Sequence, residues 1–403
     1  MDSIVLIIFS VVYVGMILGG IPGLAMDRTG VALLGAIALL ACGRMTSDAF
    51  FKAVDTPTLG LLLGLMVVSA QFRMSGFYAH LVRLMGRITA SPPLLLAVLI
   101  LATGLLSALL VNDIICLAAA PVLVEICVRR GLNAKPFLLA LACASNVGSA
   151  ATLIGNPQNM LIGQVLGLSF SKYIVDAGVP SMAGLVVVWA VIATMYRKRW
   201  REDPITLKVE PVRFNGWQTF KGSVVLVTIV LLFLFTPFKR EIVALTAAGV
   251  LLCSRRLRSR EMLGLVDWQL LILFISLFVV NYAMRESGNL DVVKHAVMSN
   301  GVRIESPWCL FGLSVLLSNL VSNVPATMLL LPSATHPMAG PVLALSSTLA
   351  GNLLVVGSIA NIIVIDQASR LGVRITWVEH LRVGVPVTIF TLGLAAAWLW
   401  YLV

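Results

Sequence analysis

Residues 110–121 read LVNDIICLAAAP, and residues 145–159 read SNVGSAATLIGNPQN. In both stretches, asparagine, aspartate or glycine interrupts an apolar run. A bilayer tolerates backbone without internal hydrogen bonds only where that backbone is buried in protein or lines a wet cavity. The two stretches therefore predict a polar cavity inside a membrane protein.

The composition places the whole chain in a bilayer. Its 403 residues are 59% hydrophobic and 12% charged, which is typical of an all-α polytopic membrane protein. The apolar runs accommodate about ten transmembrane helices of roughly 20 residues each. The net charge of +11 lies mainly between these runs, so we attribute it to membrane orientation and predict no nucleic-acid partner. The cysteines lack CxxC or metal-ligand spacing, so no metal site is predicted.

The second half of the chain repeats landmarks of the first half in the same order. The dipeptide Val54-Asp55 recurs 212 residues later, and other matches follow at offsets of 211 and 202. Such self-similarity indicates an internal structural repeat. The later matches are Asn112 with Asn323, Pro121 with Pro332, Gly155 with Gly357, and Asn159 with Asn361.

We predict two inverted five-helix repeats, each with a re-entrant hairpin and a broken helix. The first covers residues 1–196, with its hairpin at 93–128 and its broken helix at 136–167. The second covers residues 222–403, with its hairpin at 307–337 and its broken helix at 341–371. Seven basic residues place the linker 197–221 in the cytoplasm, and an odd number of spans per repeat inverts the second repeat. Both termini are then expected outside. Inverted repeats with broken helices are typical of secondary transporters.

The candidate substrate-binding residues lie at the hairpin tips and helix breaks. Amides, hydroxyls and helix N-termini in these positions can hold an anion without a basic side chain. The alternative is that the asparagines cap helices and the glycines serve helix packing. The candidates are Asn112, Asn146, Gly148, Thr152, Gly155, Asn156, Asn159, Ser322, Asn323, Asn352, Gly357, Ser358 and Asn361.

Asp113 is the candidate coupling-ion residue, together with Asn112 and Asn323 at the two tips. Desolvation favours a neutral carboxyl group and a bound cation favours a carboxylate, so this side chain can exchange H⁺ for Na⁺. The alternative is a neutral aspartate that caps the return arm of the hairpin.

These motifs resemble those of the ion transporter superfamily. That group includes divalent anion/sodium symporters, citrate transporters, ArsB arsenite pumps and NhaD-type antiporters. The resemblance covers nearly the whole chain and is nearest to bacterial anion permeases of the ArsB-like branch. The symporters carry Ser-Asn-Thr at each tip, whereas this chain has Val111-Asn112-Asp113 and Ser322-Asn323-Val324. The aspartate at the first tip is the ArsB-like pattern.

The sequence therefore predicts a secondary active transporter in the bacterial cytoplasmic (inner) membrane. The expected substrate is a small inorganic or organic anion or oxyanion, coupled to H⁺ or Na⁺. Arsenite or antimonite efflux and Na⁺/H⁺ antiport are the alternatives. The resemblance implies a homodimer. No cofactor and no enzyme activity are predicted, since HExxH, GxSxG and GxxxxGK[ST] are absent from the sequence.

Overall fold

Helices make up most of the chain. The computed structural model describes residues 2–21, 23–201, 213–299 and 303–402. Helices follow one another through the first half of the chain, as the predicted all-α class requires. The helices of that half are α1 (Ser3–Leu18), α2 (Arg28–Ala41), α3 (Ser47–Ala53), α4 (Thr56–Met74), α5 (Phe77–Gly86), α6 (Pro92–Leu109), α7 (Asn112–Arg129), α8 (Ala134–Ser149), α9 (Pro157–Val165) and α10 (Phe170–Met195).

The second half contains the same succession of helices. Its helices are α11 (Gly216–Phe235), α12 (Arg240–Leu252), α13 (Ser259–Leu263), α14 (Trp268–Glu286), α15 (Asn289–Ser299), α16 (Pro307–Val321), α17 (Asn323–Leu330), α18 (Ala339–Ala350), α19 (Ile359–Arg370) and α20 (Trp377–Leu402). Helices α4 and α14 both have 19 residues, and α10 and α20 both have 26. Helix order thus follows the sequence repeat, while the inversion of the second half stays a prediction.

Several helices are suited to crossing a bilayer. Among the described residues, α4, α6, α10, α11, α14 and α20 are long and apolar enough to span it. Helices α1, α2, α16 and α18 are apolar but shorter. These lengths support a multi-pass membrane protein.

The repeated Val-Asp dipeptides mark helix starts. The side chain of Asp55 accepts a hydrogen bond from the Thr58 amide at 2.8 Å, at the start of α4. Asp267 accepts from the Leu270 amide at 2.9 Å, at the start of α14. Such N-caps satisfy amides that the first helical turn leaves unpaired. The two aspartates therefore stabilise equivalent helices in the two halves.

The helices pack as two groups. Helices α1, α2, α4, α11, α12 and α14 form the frame, in which α4 packs against α12 and α2 against α14. Helices α6–α10 and α16–α20 form the central bundle, in which α8 packs against α6 and α18 against α16. All residues of α18 are buried, and so are all residues of α8 except Lys135. The broken helices therefore lie at the centre of the molecule.

Contacts between loops show which helix connections lie at the same end of the molecule. At the end that carries the linker, Lys135 pairs with Glu379 at 2.7 Å, and the Asn215 amide donates to the Ser75 carbonyl. At the far end, Arg44 pairs with Asp2 at 3.3 Å, Asn289 donates to the Asp2 carbonyl, and Gln164 donates to Glu241. This division agrees with the predicted alternation of spans, although the side that faces the cytoplasm stays a prediction.

The helix ends differ from the predicted segments at several points. Helix α10 begins at Phe170, just beyond the predicted broken helix 136–167, and Ser169 caps its polar first turn. Helix α11 begins at Gly216, inside the predicted linker 197–221, of which residues 202–212 lie outside the described residues. Helix α17 ends at Leu330, well before the predicted hairpin end at residue 337. The short helices α3 and α13 were not predicted, because hydropathy alone does not show where a capping side chain starts a helix.

Candidate functional site

The two hairpin tips are short and tightly held. Only Leu110 and Val111 separate α6 from α7, and the Val111 amide donates to the Ser69 hydroxyl at 3.2 Å. A single residue, Ser322, separates α16 from α17, with a φ of 80°. Positive φ is uncommon outside glycine and often marks functional sites. Both return arms therefore begin abruptly at Asn112 and Asn323.

The broken helices resume at side-chain caps. In the first, α8 ends at Ser149, and the Asn156 side chain accepts from the Asn159 amide at 2.9 Å to start α9. In the second, α18 ends at Ala350, and the Ser358 hydroxyl accepts from the Ala360 amide at 3.2 Å to start α19. Each break thus ends in a new helix N-terminus.

One cavity joins these four helix starts. It is lined by the first residues of α7, α9, α17 and α19, and its volume is about 30 Å³. Such a space holds one or two water molecules, so a larger solute requires the hairpin tips to separate. The lining residues are Asn112, Asp113, Asn146, Asn156, Pro157, Gln158, Leu270, Ser322, Asn323, Val324, Ser358 and Ile359.

Asn146 is the centre of the hydrogen-bond network beside the cavity. Its Oδ1 accepts from the Ser358 hydroxyl at 2.8 Å and from Asn112 Nδ2 at 3.4 Å. Its Nδ2 donates to Asn352 Oδ1 at 2.8 Å and to Asn361 Oδ1 at 3.2 Å. One buried amide therefore connects a hairpin of the first half to the break of the second half and to α19 beyond it.

Matched asparagines close the two breaks with the same pattern of hydrogen bonds. Asn159 Nδ2 donates to the carbonyls of Ser149 and Thr152 at 3.3 and 3.0 Å. Asn361 Nδ2 donates to the carbonyls of Gly351 and Leu354 at 2.8 and 3.2 Å. All three positions of each set differ by 202, the offset found in the sequence.

A second matched set joins the halves. Asn146 Nδ2 donates to Asn361 Oδ1, and Thr348 Oγ1 donates to Asn159 Oδ1 at 3.3 Å. Residues 146 and 348 are again 202 apart. Each closing asparagine therefore accepts a hydrogen bond from the other half of the chain. These buried polar groups pair with one another, as low-dielectric interiors require.

Asn323 links its hairpin tip to both broken helices. With its amide nitrogen facing the acceptors, it donates to the carbonyls of Ser347 and Gly357 at 3.0 and 3.2 Å. Its oxygen then accepts from Gln158 Nε2 at 3.2 Å. At the first tip, the Asn112 backbone amide donates to the Gly155 carbonyl at 3.4 Å. Each tip is thus tied to the break of its own half.

Asp113 contributes the negative charge of the cavity. The carboxylate is half-buried, and no hydrogen bond or ion pair joins it to another described residue. Asp267, the cap of α14, is near enough to interact with it electrostatically. No Lys or Arg is among the described lining residues. A cation or a proton can therefore bind here without displacing a side-chain partner.

Glycines in the first break permit close backbone contact. A Cβ added at Gly148 would lie 2.3 Å from the Gly104 carbonyl oxygen, and one at Gly155 would lie 2.3 Å from that of Ser149. Gly351 and Gly357 in the second break are less crowded, with the nearest atoms at 3.1 Å. The glycine requirement is therefore stronger in the first half.

The structure divides the predicted residues into two sets. Those that line the cavity are Asn112, Asp113, Asn146, Asn156, Ser322, Asn323 and Ser358. Those that lie behind it and support the breaks are Gly148, Thr152, Gly155, Asn159, Asn352, Gly357 and Asn361. Thr152, for example, donates to the Ala108 carbonyl of the hairpin.

Sequence reasoning missed Gln158 and Thr348. Gln158 lines the cavity, and its amide donates to the Thr348 hydroxyl at 3.2 Å. Thr348 could have been found because it is the repeat counterpart of Asn146. Gln158 has no polar counterpart, since the matching position 360 is alanine.

Comparison with known proteins places this geometry in a family. The family model described as "Citrate transporter" matches residues 4–342. An uncharacterized transporter of Mycobacterium tuberculosis is 30% identical over 97% of this chain and 98% of its own length. The rice silicon efflux transporter LSI3 is 27% identical, with 94% of each chain covered.

A solved structure has a similar fold. The Alcanivorax borkumensis YdaH transporter, reported to have an unusual topology, matches with a TM-score of 0.59. The match covers 98% of this chain and 96% of that one, at 15% sequence identity. At this identity the match shows a shared fold alone.

Proposed function

We propose, since the chain belongs to the citrate transporter family within the ion transporter superfamily, that it moves a small anion or oxyanion across the cytoplasmic membrane. The transport is secondary active and coupled to H⁺ or Na⁺. The observation that carries this proposal is the meeting of four helix N-termini at one cavity between the two hairpin tips.

Helix N-termini supply the attraction for an anion. Each carries roughly half a positive charge on its unpaired amides. The helices α7, α9, α17 and α19 all begin at the cavity wall, and the side chains of Asn112, Asn146, Gln158 and Asn323 add amide groups beside them. A small anion can thus be held although no basic side chain is among the described residues that line the cavity.

The charge of Asp113 explains why anion transport would be coupled to a cation. An anion about 4 Å from an ionised carboxylate is repelled by about 4 kcal/mol at an effective dielectric constant of about 20. Binding of H⁺ or Na⁺ to Asp113 removes this repulsion. The anion and the cation should therefore bind together, which is the requirement for symport.

Inverted halves would allow access to alternate between the two sides. The matched hydrogen bonds of Asn159 and Asn361 support a structural duplication centred on the cavity. We propose that the central bundle moves against the frame and exposes the cavity to each side in turn. The excess of basic residues at the linker end supports a cytoplasmic location for that end, and with it both termini outside.

Efflux of a neutral hydroxy acid is the second candidate. It is favoured by one observation, that a carboxylate without a basic residue lines the cavity. Undissociated arsenous acid would bind to amides and hydroxyls without meeting that repulsion, and H⁺ on Asp113 would then exchange with it. The relative LSI3 is named for silicon efflux. Na⁺/H⁺ antiport needs Asp113 alone and is the third candidate.

Flux into proteoliposomes tests these candidates. Purified protein would be reconstituted and supplied with sulfate, phosphate, citrate, dicarboxylates or arsenite, under imposed H⁺ or Na⁺ gradients. Accumulation of an anion that requires one gradient supports the first proposal. Arsenite movement against a counter-flow of protons supports the second, and Na⁺/H⁺ exchange without either solute supports the third. The absence of flux for all of them would contradict transport.

Loss of either tip amide should weaken ligand binding. Asn112→Ala and Asn323→Ala each remove a cavity amide, so each should reduce the rise in thermal unfolding temperature that a transported solute produces. We expect the shift to fall by at least half. Asn281→Ala is the matched control, because this amide accepts from the Tyr13 hydroxyl of α1, away from the cavity. An undiminished shift in both tip variants would place the substrate elsewhere.

A further inference from the structure

An arginine of the frame holds the end of a broken helix. Arg240, the first residue of α12, donates from Nη2 to the carbonyls of Gly163 and Leu168, at 3.1 and 2.7 Å. Beside it, Gln164 Nε2 donates to Glu241 Oε2 at 3.1 Å. Carbonyls at a helix C-terminus carry partial negative charge and favour a cation. The contact thus anchors α9 of the central bundle to α12 of the frame, at the far end.

The anchor fits closely but leaves one group unpaired. A Cβ added at Gly163 would lie 3.1 Å from Arg240 Nη1, so the guanidinium fills the space that this glycine leaves. The Nη1 atom itself is buried and has no hydrogen-bond partner among the described residues. A buried donor without an acceptor is unfavourable. The contact therefore stabilises α9 less than a fully paired guanidinium would.

The repeat provides a counterpart to this arginine at the opposite end. Arg28, 212 residues before Arg240, is likewise the first residue of its helix, α2. The positions that match Gly163 and Leu168 are Ile365 and Arg370, at the end of α19. Arg28 is half-buried, but no hydrogen bond or ion pair joins it to those carbonyls or to another described residue. One anchor is engaged and its counterpart is not.

We propose that Arg240 and Arg28 anchor the central bundle in turn, one in each of the two end states of transport. Arg240 holds α9 in the conformation described here. In the opposite conformation that contact breaks, and Arg28 binds the carbonyls of Ile365 and Arg370 at the end of α19. This inference rests on the proposed transport function and assigns both arginines as positioning residues outside the substrate cavity.

Two cysteine pairs report the two states. Gln164→Cys with Glu241→Cys samples the engaged anchor, where the native side chains are hydrogen-bonded. The matched pair is Thr29→Cys with Asp366→Cys, at the repeat-related positions 212 before Glu241 and 202 after Gln164. A short bifunctional thiol reagent would be applied to membranes, and each cross-linked peptide would be quantified by mass spectrometry. We expect both pairs to cross-link, with one yield rising as the other falls when an ion gradient is imposed.

Neutralising each arginine should shift these yields in opposite directions. Arg240→Gln should lower the 164–241 yield relative to the 29–366 yield by about tenfold, as expected when a charged hydrogen bond is lost. Arg28→Gln should change the ratio the other way. Lys239→Gln is the control, since this exposed neighbour is the cap of α12 and should leave the ratio unchanged. Arginines that only stabilise the fold would lower both yields together, which would overturn the proposal.

Flux measured in the same preparations separates the two hypotheses. If flux is retained but the 29–366 pair never cross-links, the alternating anchor is wrong and the transport function stands. If no solute is transported by the unaltered protein, the transport function is wrong, whatever the cross-links show.

Discussion

Replacing Asp113 by Asn is expected to abolish ion-coupled flux while the protein stays folded in the membrane. Asparagine keeps the size of the side chain but can neither be protonated nor carry the charge that holds Na⁺. No described residue pairs with Asp113, so the substitution leaves no partner uncompensated. The measurement is solute accumulation in proteoliposomes under an H⁺ or Na⁺ gradient, with the folded yield followed by size-exclusion chromatography.

Asp48→Asn is the matched control for this variant. Asp48 is an exposed aspartate in the first turn of α3, outside the cavity, and its loss should leave coupled flux unchanged. Coupled flux that persists in Asp113→Asn would remove this carboxylate from the mechanism. Downhill flux that no longer responds to the gradient would instead show that Asp113 couples the ion without being needed for solute passage.

Gly148→Ala is expected to prevent stable folding. The added methyl group would lie 2.3 and 2.4 Å from the Gly104 carbonyl oxygen and Cα, which are backbone atoms of α6. Because no flexible side chain can move aside, α8 and α6 must separate within the buried central bundle. Overpacking typically costs about 1–3 kcal/mol, and the upper end of that range is expected where only backbone can move. The expected result is a large fall in monodisperse yield and in the thermal unfolding midpoint in detergent.

Gly312→Ala and Gly351→Ala calibrate that result. Gly312 lies in α16 with no atom within 4 Å of an added Cβ, so its substitution should be close to neutral. At Gly351 the nearest atom lies at 3.1 Å and belongs to the amide group of Asn323, a side chain that can shift slightly. We expect an intermediate effect there. A Gly148→Ala protein as stable as the Gly312→Ala protein would show that α6 and α8 are not in close contact.

The sequence predicts the two breaks well because their chemistry is local. Glycine and asparagine inside an apolar run leave backbone groups unpaired, and in lipid these must be satisfied nearby. Asn159 and Asn361 do this within ten residues of their own positions. The hairpin starts were also close, since α6 begins at Pro92 and α16 at Pro307. Short-range rules therefore account for these elements.

What the sequence could not show depends on contacts between the halves. The role of Thr348 follows from its hydrogen bonds to Asn159 and Gln158, nearly two hundred residues away. The sequence does not distinguish Arg240 from other loop arginines, because its role depends on the contact with the end of α9. Conversely, Thr152 and Asn159 were predicted to bind substrate, and the structure places them behind the cavity wall. The side-chain types predicted that polar groups lie deep in the membrane. They did not predict which of these groups line the cavity and which lie behind it.

The cross-half hydrogen bond of Asn159 has a consequence for biosynthesis. Its acceptor oxygen pairs with Thr348, which leaves the ribosome 189 residues later. At about 5–20 residues per second, the first break waits roughly 10–40 s for that donor. Throughout this interval its polar atoms need water, lipid headgroups or an insertion chaperone. A nascent chain arrested between residues 200 and 340 should therefore be an early target of membrane quality-control proteases.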